Sequence, residues 1–512
     1  MPHYAINSVD TVYKKKSEVS YRLAVDIGTT NLKVVLFDNE FNDIEQVSQG
    51  YKTNYRSNGF AEQSIDEIYQ ALEDSIKLVV GKHPEISEKI RTINFSSAMH
   101  SIILLDKSMN PLTSNIIWAD NRAVNEVETF KNTFDWLTYY QNTGTPIHAM
   151  SPFAKLLWFK NGHQINGMSY CCGIKELLIY KLTNEFVMDY SLASSTGLFN
   201  IHTMTWDKQA LSLTDIDETM LPNLVDVTYQ LKINSLSFLE KSNLSSITEI
   251  VIGASDGCLA NLGSGALLPG ETTLSIGTSG AIRMTVEKPL LDPQGRTFCY
   301  YLCPGKWIIG GAVNNGGNIL TWLNQLILSD KENVYELIKP ALQLSSAESE
   351  GLFFIPHLHG ERAPYWDGRL TASYIGLLPT HTKLHLLKAA LEGVAMNLKD
   401  VWQLLQNLAG ESTKIIASGG FVNSPEWTAL ITDIFGVDLY IQPKTEHSCL
   451  GAVLLSGNSS SSLPFSEKFQ VIHPNSGNKV YYAQRYKEYR WYVKSMIDMR
   501  KNFAKDKSAG LI

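Results

Sequence analysis

The chain has 512 residues, a formal net charge of −7 and 44% hydrophobic residues, which is enough for two or more globular domains. The negative charge excludes a broad nucleic-acid-binding surface, and no apolar run reaches the roughly 18 residues of a membrane helix. Six cysteines without a C-x-x-C pair predict free thiols in a reducing, cytoplasmic compartment.

The first predicted element is a β-hairpin. Residues 1–20 are interpreted as a mobile N-terminal extension, and β-prone runs then flank a polar turn in "VDIGTTNLKVVLFD" (25–38). The tip of such a hairpin can hold an anion against its backbone N–H groups. A helix follows at 64–80 and a strand at 90–100. Residues 102–120 predict a second hairpin that turns at Asn110-Pro111.

A similar tip recurs half a chain length later, in "TTLSIGTSGAIRMTV" (272–286). Its core, Ile276-Gly277-Thr278-Ser279, repeats Ile27-Gly28-Thr29-Thr30 almost letter for letter. Two unrelated turns would account for this, because Gly, Ser and Thr are ordinary turn residues. The alternative is a duplicated domain in which each half offers one phosphate-binding hairpin to a shared cleft.

The second half continues with alternating strands and helices. Predicted strands lie at 297–302 and 306–313, and "TKIIASGG" (413–420) predicts a strand that runs into a glycine turn. Predicted helices lie at 317–328, 384–408, 424–435 and 481–503. Ser424 is the expected N-cap of the third helix, with Pro425 at its first position. "SGNSSSS" (456–462) predicts a surface loop. Strands mixed with helices in both halves predict an α/β fold.

Two further glycine turns stand at strand ends, in "GGAVNNGG" (310–317) and "IIASGGFVNSPEW" (415–427). Glycines without a Cβ allow close approach of a flat ligand such as an adenine ring. Each segment alone is equally consistent with a plain strand-to-helix turn. Together with the two matched hairpin tips, they indicate a nucleotide that lies between two related domains.

The sequence resembles the FGGY carbohydrate kinases. "MSPFAKLLWFKN" (150–161) and "ASYIGLLPTHTKLHLLKAALEG" (372–393) are similar to the two patterns of that family. The resemblance implies two ribonuclease-H-like domains, as in actin and hexokinase, with an active-site cleft between them. It places the N-terminal domain at 21–262, on the sugar and phosphate side. The C-terminal domain at 263–512 is then on the adenosine side and ends in a helix.

Within the family the chain is most similar to gluconate kinases, in stretches such as "SAMHSIILLD", "IIWADNRA" and "VIGASDGCLANLG". The resemblance implies ATP-dependent phosphorylation of the terminal hydroxyl of a sugar acid, D-gluconate, with Mg²⁺. A xylulose kinase, or another pentulose or polyol kinase, is the alternative of the same class. An actin-like ATP-binding module without transferase activity is the alternative of another class. No nucleic-acid or membrane partner is expected, and a homodimer is left open.

The nucleotide end of the site is assigned to the glycine turns and hairpin tips. Asp26 begins the first tip, where its carboxylate can hold a hydrated Mg²⁺; a turn-stabilising role is the alternative. The residues expected to contact ATP are Thr29, Thr30, Lys33, Gly277, Thr278, Gly311, Asn314, Gly419, Gly420 and Asn423.

The acceptor end of the site requires a base for the sugar hydroxyl. Asp256 follows the strand "TEIVIGA" and precedes a helix; it is either that base or only an N-cap, and the family resemblance implies the base. By family position the substrate-binding residues are Met99, His100, Trp118, Asp120 and Met150. The candidates for binding a substrate carboxylate are His100, Arg122, His148 and Lys155. Glu361 and Arg362 are expected either to support the interdomain site or to form a structural ion pair.

Overall fold

The computed structural model describes residues 20–56, 58–163, 165–327, 333–345, 351–442, 446–457 and 469–508. Among the helices in these ranges, none has the length and apolar character that a membrane crossing requires. The extension predicted at 1–20 lies outside the described residues except for Ser20, and so do residues 458–462 of the predicted surface loop.

The first half contains fifteen strands and nine α-helices within the described ranges. The strands are β1 Tyr21–Ile27, β2 Asn31–Phe37, β3 Asp43–Gly50, β4 Thr53–Tyr55, β5 Ala61–Gln63, β6 Ile90–Ser97, β7 Ile103–Leu105, β8 Asn115–Ile116, β9 Tyr170–Cys172, β10 Val187–Asp189, β11 Phe199–Asn200, β12 Thr205–Trp206, β13 Asn223–Val225, β14 Gln230–Lys232 and β15 Glu249–Ser255. The helices are α1 Ile65–Lys82, α2 Val124–Thr133, α3 Trp136–Thr143, α4 Pro152–Lys160, α5 Ile174–Thr183, α6 Tyr190–Ser194, α7 Lys208–Thr214, α8 Leu236–Ser242 and α9 Asp256–Gly263.

The second half contains nine strands and six α-helices within the described ranges. The strands are β16 Glu271–Ile276, β17 Gly280–Val286, β18 Phe298–Cys303, β19 Lys306–Val313, β20 Phe353–Ile355, β21 Ser373–Ile375, β22 Lys414–Ser418, β23 Leu439–Ile441 and β24 Gln470–Ile472. The helices are α10 Asn318–Ile327, α11 Val334–Leu342, α12 Lys383–Ala409, α13 Pro425–Phe435, α14 His447–Ser456 and α15 Lys479–Ser508. Short 3-10 helices cover Pro84–Lys89, Glu218–Met220, Gly420–Asn423 and Ser476–Asn478.

The two halves repeat one sheet topology. The first sheet has the order β14-β15-β6-β1-β2-β3, and the second has the order β18-β19-β17-β16-β22-β23-β24. In each, an antiparallel hairpin (β1–β2 or β16–β17) carries a third antiparallel strand on one side. Two successive parallel strands lie on the other side (β6 and β15, or β22 and β23). The duplicated α/β fold predicted from the sequence is therefore confirmed.

The carboxyl ends of the parallel strands position the polar segments. Strands β1, β6 and β15 end together at Ile27, Ser97 and Ser255, and β16 and β22 end at Ile276 and Ser418. β1 and β16 lead into the two hairpin tips, β22 into a glycine turn, β15 into α9, and β6 into the loop at 98–101. In open α/β sheets this edge is where ligands bind.

The two halves meet where α9 crosses α14. A Cβ at Gly263 would lie 1.9 Å from the carbonyl oxygen of His447, and a Cβ at Gly451 would lie 2.1 Å from that of Leu259. Helix α14 also packs on β1 and β6, so an element of the second half completes the core of the first. The contact therefore requires glycine on both helices.

Replacing Gly451 with alanine is expected to lower the free energy of unfolding by about 1–3 kcal/mol, because the new methyl group forces two helix backbones apart. Denaturant unfolding followed by circular dichroism measures the change. The matched control is Gly81→Ala in α1, where a Cβ meets no atom within 4 Å; this variant should be neutral or slightly more stable. Equal losses in both variants would contradict the packing argument.

The hairpin predicted at 102–120 forms, but its turn comes earlier than the predicted Asn110-Pro111. Its arms are bridged antiparallel at Ile102–Ile116 and Leu105–Pro111, and β7 and β8 within it also pair with β9 and β5. The turn lies at 106–110, where the Asp106 carboxylate accepts backbone N–H groups from Ser108 and Asn110. Gly310 and Gly311 lie inside β19, so only the later glycines of "GGAVNNGG" belong to the turn that precedes α10.

Candidate active site

Two adjacent cavities lie at the strand ends. The large cavity, of about 880 Å³, is bounded by segments of the second half at 276–278, 317–325, 335–338, 358–359 and 420–427. The small cavity, of about 310 Å³, is lined by residues of both halves. Gly277 and Thr278 line both cavities, so the cavities adjoin at the second hairpin tip.

The two matched hairpin tips meet at the small cavity. Thr29 contributes from the first tip, and Gly277, Thr278 and Ser279 contribute from the second. The Thr29 hydroxyl accepts a hydrogen bond of 2.8 Å from the indole N–H of Trp118. The first tip is therefore fixed to a side chain of the acceptor side.

Two other predicted phosphate contacts lie outside the linings of both cavities. Thr30 is exposed at the tip, and its carbonyl oxygen accepts the backbone N–H of Tyr51. The Lys33 ammonium is hydrogen-bonded to the carboxylate of Glu446, in the second half. The structure thus shows Lys33 in an ion pair between the halves.

Asp26 lies near the end of β1, just before the first tip. Its Oδ1 accepts a hydrogen bond of 2.6 Å from Ser96 Oγ. Burial, and more weakly the charge of Glu446, raise the pKa of Asp26 above its ordinary value, against the hydrogen bond from Ser96 and the charge of Lys33. Within the described ranges no three His, Cys, Asp or Glu side chains form a group that could hold a metal ion.

Asp256 is the first residue of α9 and lines the small cavity. Its Oδ1 accepts a 2.6 Å hydrogen bond from the backbone N–H of Gly257. Burial and the nearby charge of Asp26 raise the pKa of Asp256 to about 7, although Arg283 opposes this shift. A carboxylate with this pKa is suited to take up and release a proton near neutral pH.

Buried hydroxyl groups fix the strand end that carries Asp256. Ser255 and Ser191 have their side-chain oxygens 3.0 Å apart, and the backbone N–H of Ser255 donates to Ser191 Oγ. Helix α6, which contains Ser191, thus supports the base from behind. Ser255 holds the N-cap position of α9, so Asp256 is not that cap.

Four predicted substrate-binding residues line the small cavity together: Met99, His100, Trp118 and Met150. The Nδ1 of His100 lies 2.8 Å from the carbonyl oxygen of Ser195. Burial and the charge of Lys155 lower the pKa of His100 to about 3. His100 is therefore neutral, with its proton on Nδ1 and an acceptor at Nε2, and it is not a cation for a carboxylate. Its φ of 69° is rare outside glycine and is typical of constrained functional positions.

Asp120 and Arg122 pair with each other outside the linings of both cavities. Asp120 is fully buried and accepts hydrogen bonds of 2.8 Å from both Nε and Nη2 of Arg122. The guanidinium also pairs with Glu62 and stacks 4.0 Å above the ring of Phe60. Arg122, which sequence analysis considered for binding the substrate carboxylate, is therefore already paired with Asp120 and Glu62.

His148 and Lys155 also lie outside the linings of both cavities. Burial and the charge of Arg362 lower the pKa of His148 to about 3, and its ring packs edge-to-face on Trp366. The Lys155 ammonium donates to three carbonyl oxygens, those of His100, Ile117 and Met150. Burial lowers the pKa of Lys155 to about 7. Lys155 therefore holds the backbone of the acceptor side together and does not line the cavity.

The cations that do line the small cavity are Arg283 and Arg362. Sequence analysis missed Arg283 and left Arg362 between two roles. Arg283 lies in the middle of β17, where it is opposite Gly310 on β19. An arginine inside the apolar run "GAIRMTV" was the available signal, because a charged side chain is rarely buried without a function or a partner.

Residues predicted for the adenosine side divide into two groups. Gly420 and Asn423 line the large cavity, with apolar walls from residues such as Leu320, Phe421 and Trp427. The other three lie outside its lining: Gly311 packs against Ala363 and Val401, Gly419 forms the turn at φ 97°, and Asn314 hydrogen-bonds to the carbonyl oxygen of His359. These three hold the walls in place.

Comparison with known proteins covers both halves. Residues 21–263 match the FGGY family of carbohydrate kinases, N-terminal domain, and residues 272–459 match the C-terminal domain. The gluconokinase of Bacillus subtilis (strain 168) is 40% identical over 447 residues, which is 85% of this chain and 87% of that protein. The gluconate kinase structure from Lactobacillus acidophilus is 33% identical with a TM-score of 0.89, covering 94% of this chain and 98% of that one. The ligand-bound xylulose kinase structure from Lactobacillus acidophilus is also 33% identical with a TM-score of 0.89, covering 94% of this chain and 100% of that one.

Proposed function

The chain belongs to the FGGY family of carbohydrate kinases, and from this premise we propose that it transfers the γ-phosphoryl group of ATP to the terminal hydroxyl of D-gluconate. The product is 6-phospho-D-gluconate. The family makes the chain a phosphotransferase, so a binding module without transfer activity is excluded. The choice of gluconate is supported by the gluconokinase of Bacillus subtilis, at 40% identity over 447 residues.

The observation that carries the proposal is that the two cavities adjoin at the second hairpin tip. Gly277 and Thr278 line both cavities, and Asp256 lines the small one. A nucleotide with its base against the apolar walls of the large cavity would direct its phosphates past this hairpin tip. The γ-phosphoryl group would then arrive beside the group that receives the acceptor proton.

Each part of this geometry has a defined chemical task. The hairpin tips offer backbone N–H groups and the hydroxyls of Thr29 and Thr278 to the phosphates. Asp256 accepts the proton of the substrate hydroxyl while that oxygen bonds to the γ-phosphorus and the bond to the β-phosphate oxygen breaks, releasing ADP. Met99, Trp118 and Met150 enclose the acceptor, which limits attack by water.

We propose Asp26 as the residue that holds Mg²⁺ in the complex with ATP. Its position at the first tip and its second, uncommitted carboxylate oxygen support this role. The ion supplies neutralisation of charge on the phosphate oxygens during transfer. The test is the Mg²⁺ concentration that gives half-maximal activity. If Asp26→Asn leaves this concentration unchanged, Asp26 is a structural turn residue and the proposal is wrong.

A xylulose kinase is the second candidate, favoured by the equal similarity of the ligand-bound xylulose kinase structure, at a TM-score of 0.89. Measuring ADP release with D-gluconate, D-xylulose and glycerol as separate acceptors decides between the candidates. We expect D-gluconate to give the highest kcat/KM. Activity on D-xylulose without activity on D-gluconate would overturn the proposal.

The pH profile of the reaction is expected to follow the pKa of Asp256, which is about 7 in the unliganded protein. Because the shift is upward and a base acts only when deprotonated, kcat/KM for the acceptor should rise roughly tenfold per pH unit below 7 and level off above it. Initial rates at saturating ATP between about pH 5.5 and 8.5 test this. A profile that is flat across neutral pH would show that another group accepts the proton.

We propose a boundary near residue 262 between an N-terminal acceptor and phosphate domain (21–262) and a C-terminal adenosine domain (263–512). The boundary follows the end of α9 at Gly263, after which the second sheet begins with β16. We also propose that the enzyme acts in the cytoplasm. All six cysteines are free thiols, five of them buried, which suits a reducing compartment that contains ATP.

A further inference from the structure

Two arginines of the small cavity form no hydrogen-bonded ion pair. In the part of the chain that the structure describes, no carboxylate lies within ion-pair distance of the Arg283 or Arg362 guanidinium, and the Nε–H of each has no hydrogen-bond acceptor. Arg283 Nη1 reaches only Ser275 Oγ at 3.5 Å, and Arg362 Nη2 donates to the carbonyl oxygen of Val313 at 3.1 Å. Most of the ten N–H donors of the two guanidinium groups are therefore uncommitted.

The carboxylate next to Arg362 in sequence is committed to other donors. Glu361 is fully buried and accepts the backbone N–H of Asn314 and the side-chain amides of Asn315 and Asn397. Its carboxylate contacts only the backbone N–H of Arg362 and acts on the guanidinium through its charge alone, as Asp256 does on Arg283. Two cations without a hydrogen-bonded carboxylate are costly in a buried site, so an anionic ligand would stabilise them.

Arg283 lies beside the base. Its Nε is 3.0 Å from the position that a Cβ on Gly257 would occupy, at the start of α9, and its charge acts on Asp256. The Arg362 guanidinium lies 4.9 Å from the ring of Trp118. The phenol oxygen of Tyr300, which also lines the cavity, has no hydrogen-bond partner among the described residues. The cavity thus holds one acidic group together with a set of donors that lack acceptors.

We propose that Arg362 and Arg283 bind the carboxylate of the acceptor substrate, and so select a sugar acid over a neutral sugar of the same length. This inference rests on the proposed function, because it takes the acceptor hydroxyl to lie at Asp256. Arg362 is the primary contact, since Arg283 lies beside the base at the start of α9. Arg283 contributes the second positive charge.

The guanidinium group is suited to this task because its planar fork matches a carboxylate with two parallel hydrogen bonds. A neutral polyol or ketose offers hydroxyl groups but no negative charge, and it would leave both cations uncompensated. The selection is therefore made by the cost of leaving the arginines unpaired as well as by the bonds that the sugar acid gains.

The test compares D-gluconate with D-glucitol, which has the same six carbons and a CH₂OH group in place of the carboxylate. Arg362→Gln should lower kcat/KM for D-gluconate by about 10–100-fold, chiefly through KM. Its activity on D-glucitol should change by less than about 3-fold. Arg362→Lys, which keeps the charge without the fork, should recover part of the loss. Arg283→Gln should lower the preference for D-gluconate in the same direction.

Arg369→Gln is the matched control. Arg369 lies on the same loop but is exposed and paired with Asp367 and Glu128, so its loss should leave the preference for D-gluconate unchanged. Calorimetric binding of D-gluconate and D-glucitol, with a non-hydrolysable ATP analogue present, gives the same comparison for any variant or acceptor that is not turned over. Thermal unfolding identifies variants that fail to fold. If Arg362→Gln fails to fold, Arg362→Lys provides the test in its place.

The outcomes separate this inference from the proposed function. If the wild-type protein phosphorylates D-gluconate but the arginine variants lose activity on both acceptors equally, the arginines serve phosphoryl transfer and the inference is wrong while the proposed function stands. If the wild-type protein uses only D-xylulose, the proposed function fails. The inference then stands only if D-gluconate binds and its binding weakens in Arg362→Gln.

Discussion

Replacing Asp256 with asparagine is expected to lower kcat by about 10²–10⁴-fold, with little change in ATP binding. Asparagine keeps the size of the side chain and an oxygen that can accept the N–H of Gly257, but it cannot take the proton of the acceptor. The large cavity, where the nucleotide is proposed to bind, does not include Asp256 in its lining. Steady-state kinetics give kcat, and titration with a non-hydrolysable ATP analogue gives the nucleotide affinity.

The stability of the same variant separates catalysis from folding. The native-state pKa of Asp256 is raised, so ionisation of this carboxyl group costs stability as the pH rises from its ordinary pKa through about 7. Asparagine has no charge, and Asp256→Asn should therefore be at least as stable as the wild type at pH 8. The control is Asp66→Asn, on an exposed position of α1, which should keep full activity. Full activity of Asp256→Asn would refute its role as the base.

The sequence contains enough to predict the duplication and the shared cleft, because these features depend on local patterns. The hairpins of Ile27-Gly28-Thr29 and Ile276-Gly277-Thr278 are encoded by apolar runs around a small polar turn, and both form where predicted. The Ser424 cap and Pro425 start of α13 are equally local and are confirmed. Short-range rules suffice when the partners of a residue lie within a few positions.

Local patterns could not show which charged residues of the acceptor side line the cavity, because the burial and pairing of a side chain depend on distant parts of the chain. Arg122 is closed off by Glu62, and Lys155 by carbonyl oxygens of three other segments. Arg283, in contrast, lines the cavity from the middle of β17 and has no ion-pair partner among the described residues. A sequence gives the residue types of such a site, but the tertiary fold determines which cations are already paired.

Replacing Lys175 with methionine is expected to lower the free energy of unfolding by about 3–5 kcal/mol. Lys175 and Asp189 are both fully buried, with Nζ 2.6 Å from Oδ2, and Nζ also donates to the carbonyl oxygen of Ile252 at 3.0 Å. The substitution leaves the Asp189 carboxylate buried without its cation. Denaturant unfolding measures the loss.

The matched control is an ion pair on the surface. Lys82 pairs with Glu45 at 3.1 Å, and 54% of the Lys82 side chain is accessible, so Lys82→Met should change stability by less than about 1 kcal/mol. The double variant Lys175→Met with Asp189→Asn should lose less than Lys175→Met alone, because no unpaired charge remains. Similar losses for Lys175→Met and Lys82→Met would contradict the argument from burial.

The same ion pair should also affect catalysis, since it lies behind the base. Asp189 caps α6 by accepting the N–H of Leu192, and Ser191 of that helix hydrogen-bonds to Ser255, the neighbour of Asp256. Lys175 also holds β15 directly, through Ile252. A loosened strand end would misplace the carboxylate that receives the proton, and small misplacements reduce rates strongly. At a temperature where Lys175→Met remains folded by circular dichroism, its kcat should therefore fall, whereas Lys82→Met should keep the wild-type value; an unchanged kcat in Lys175→Met would confine the pair to stability.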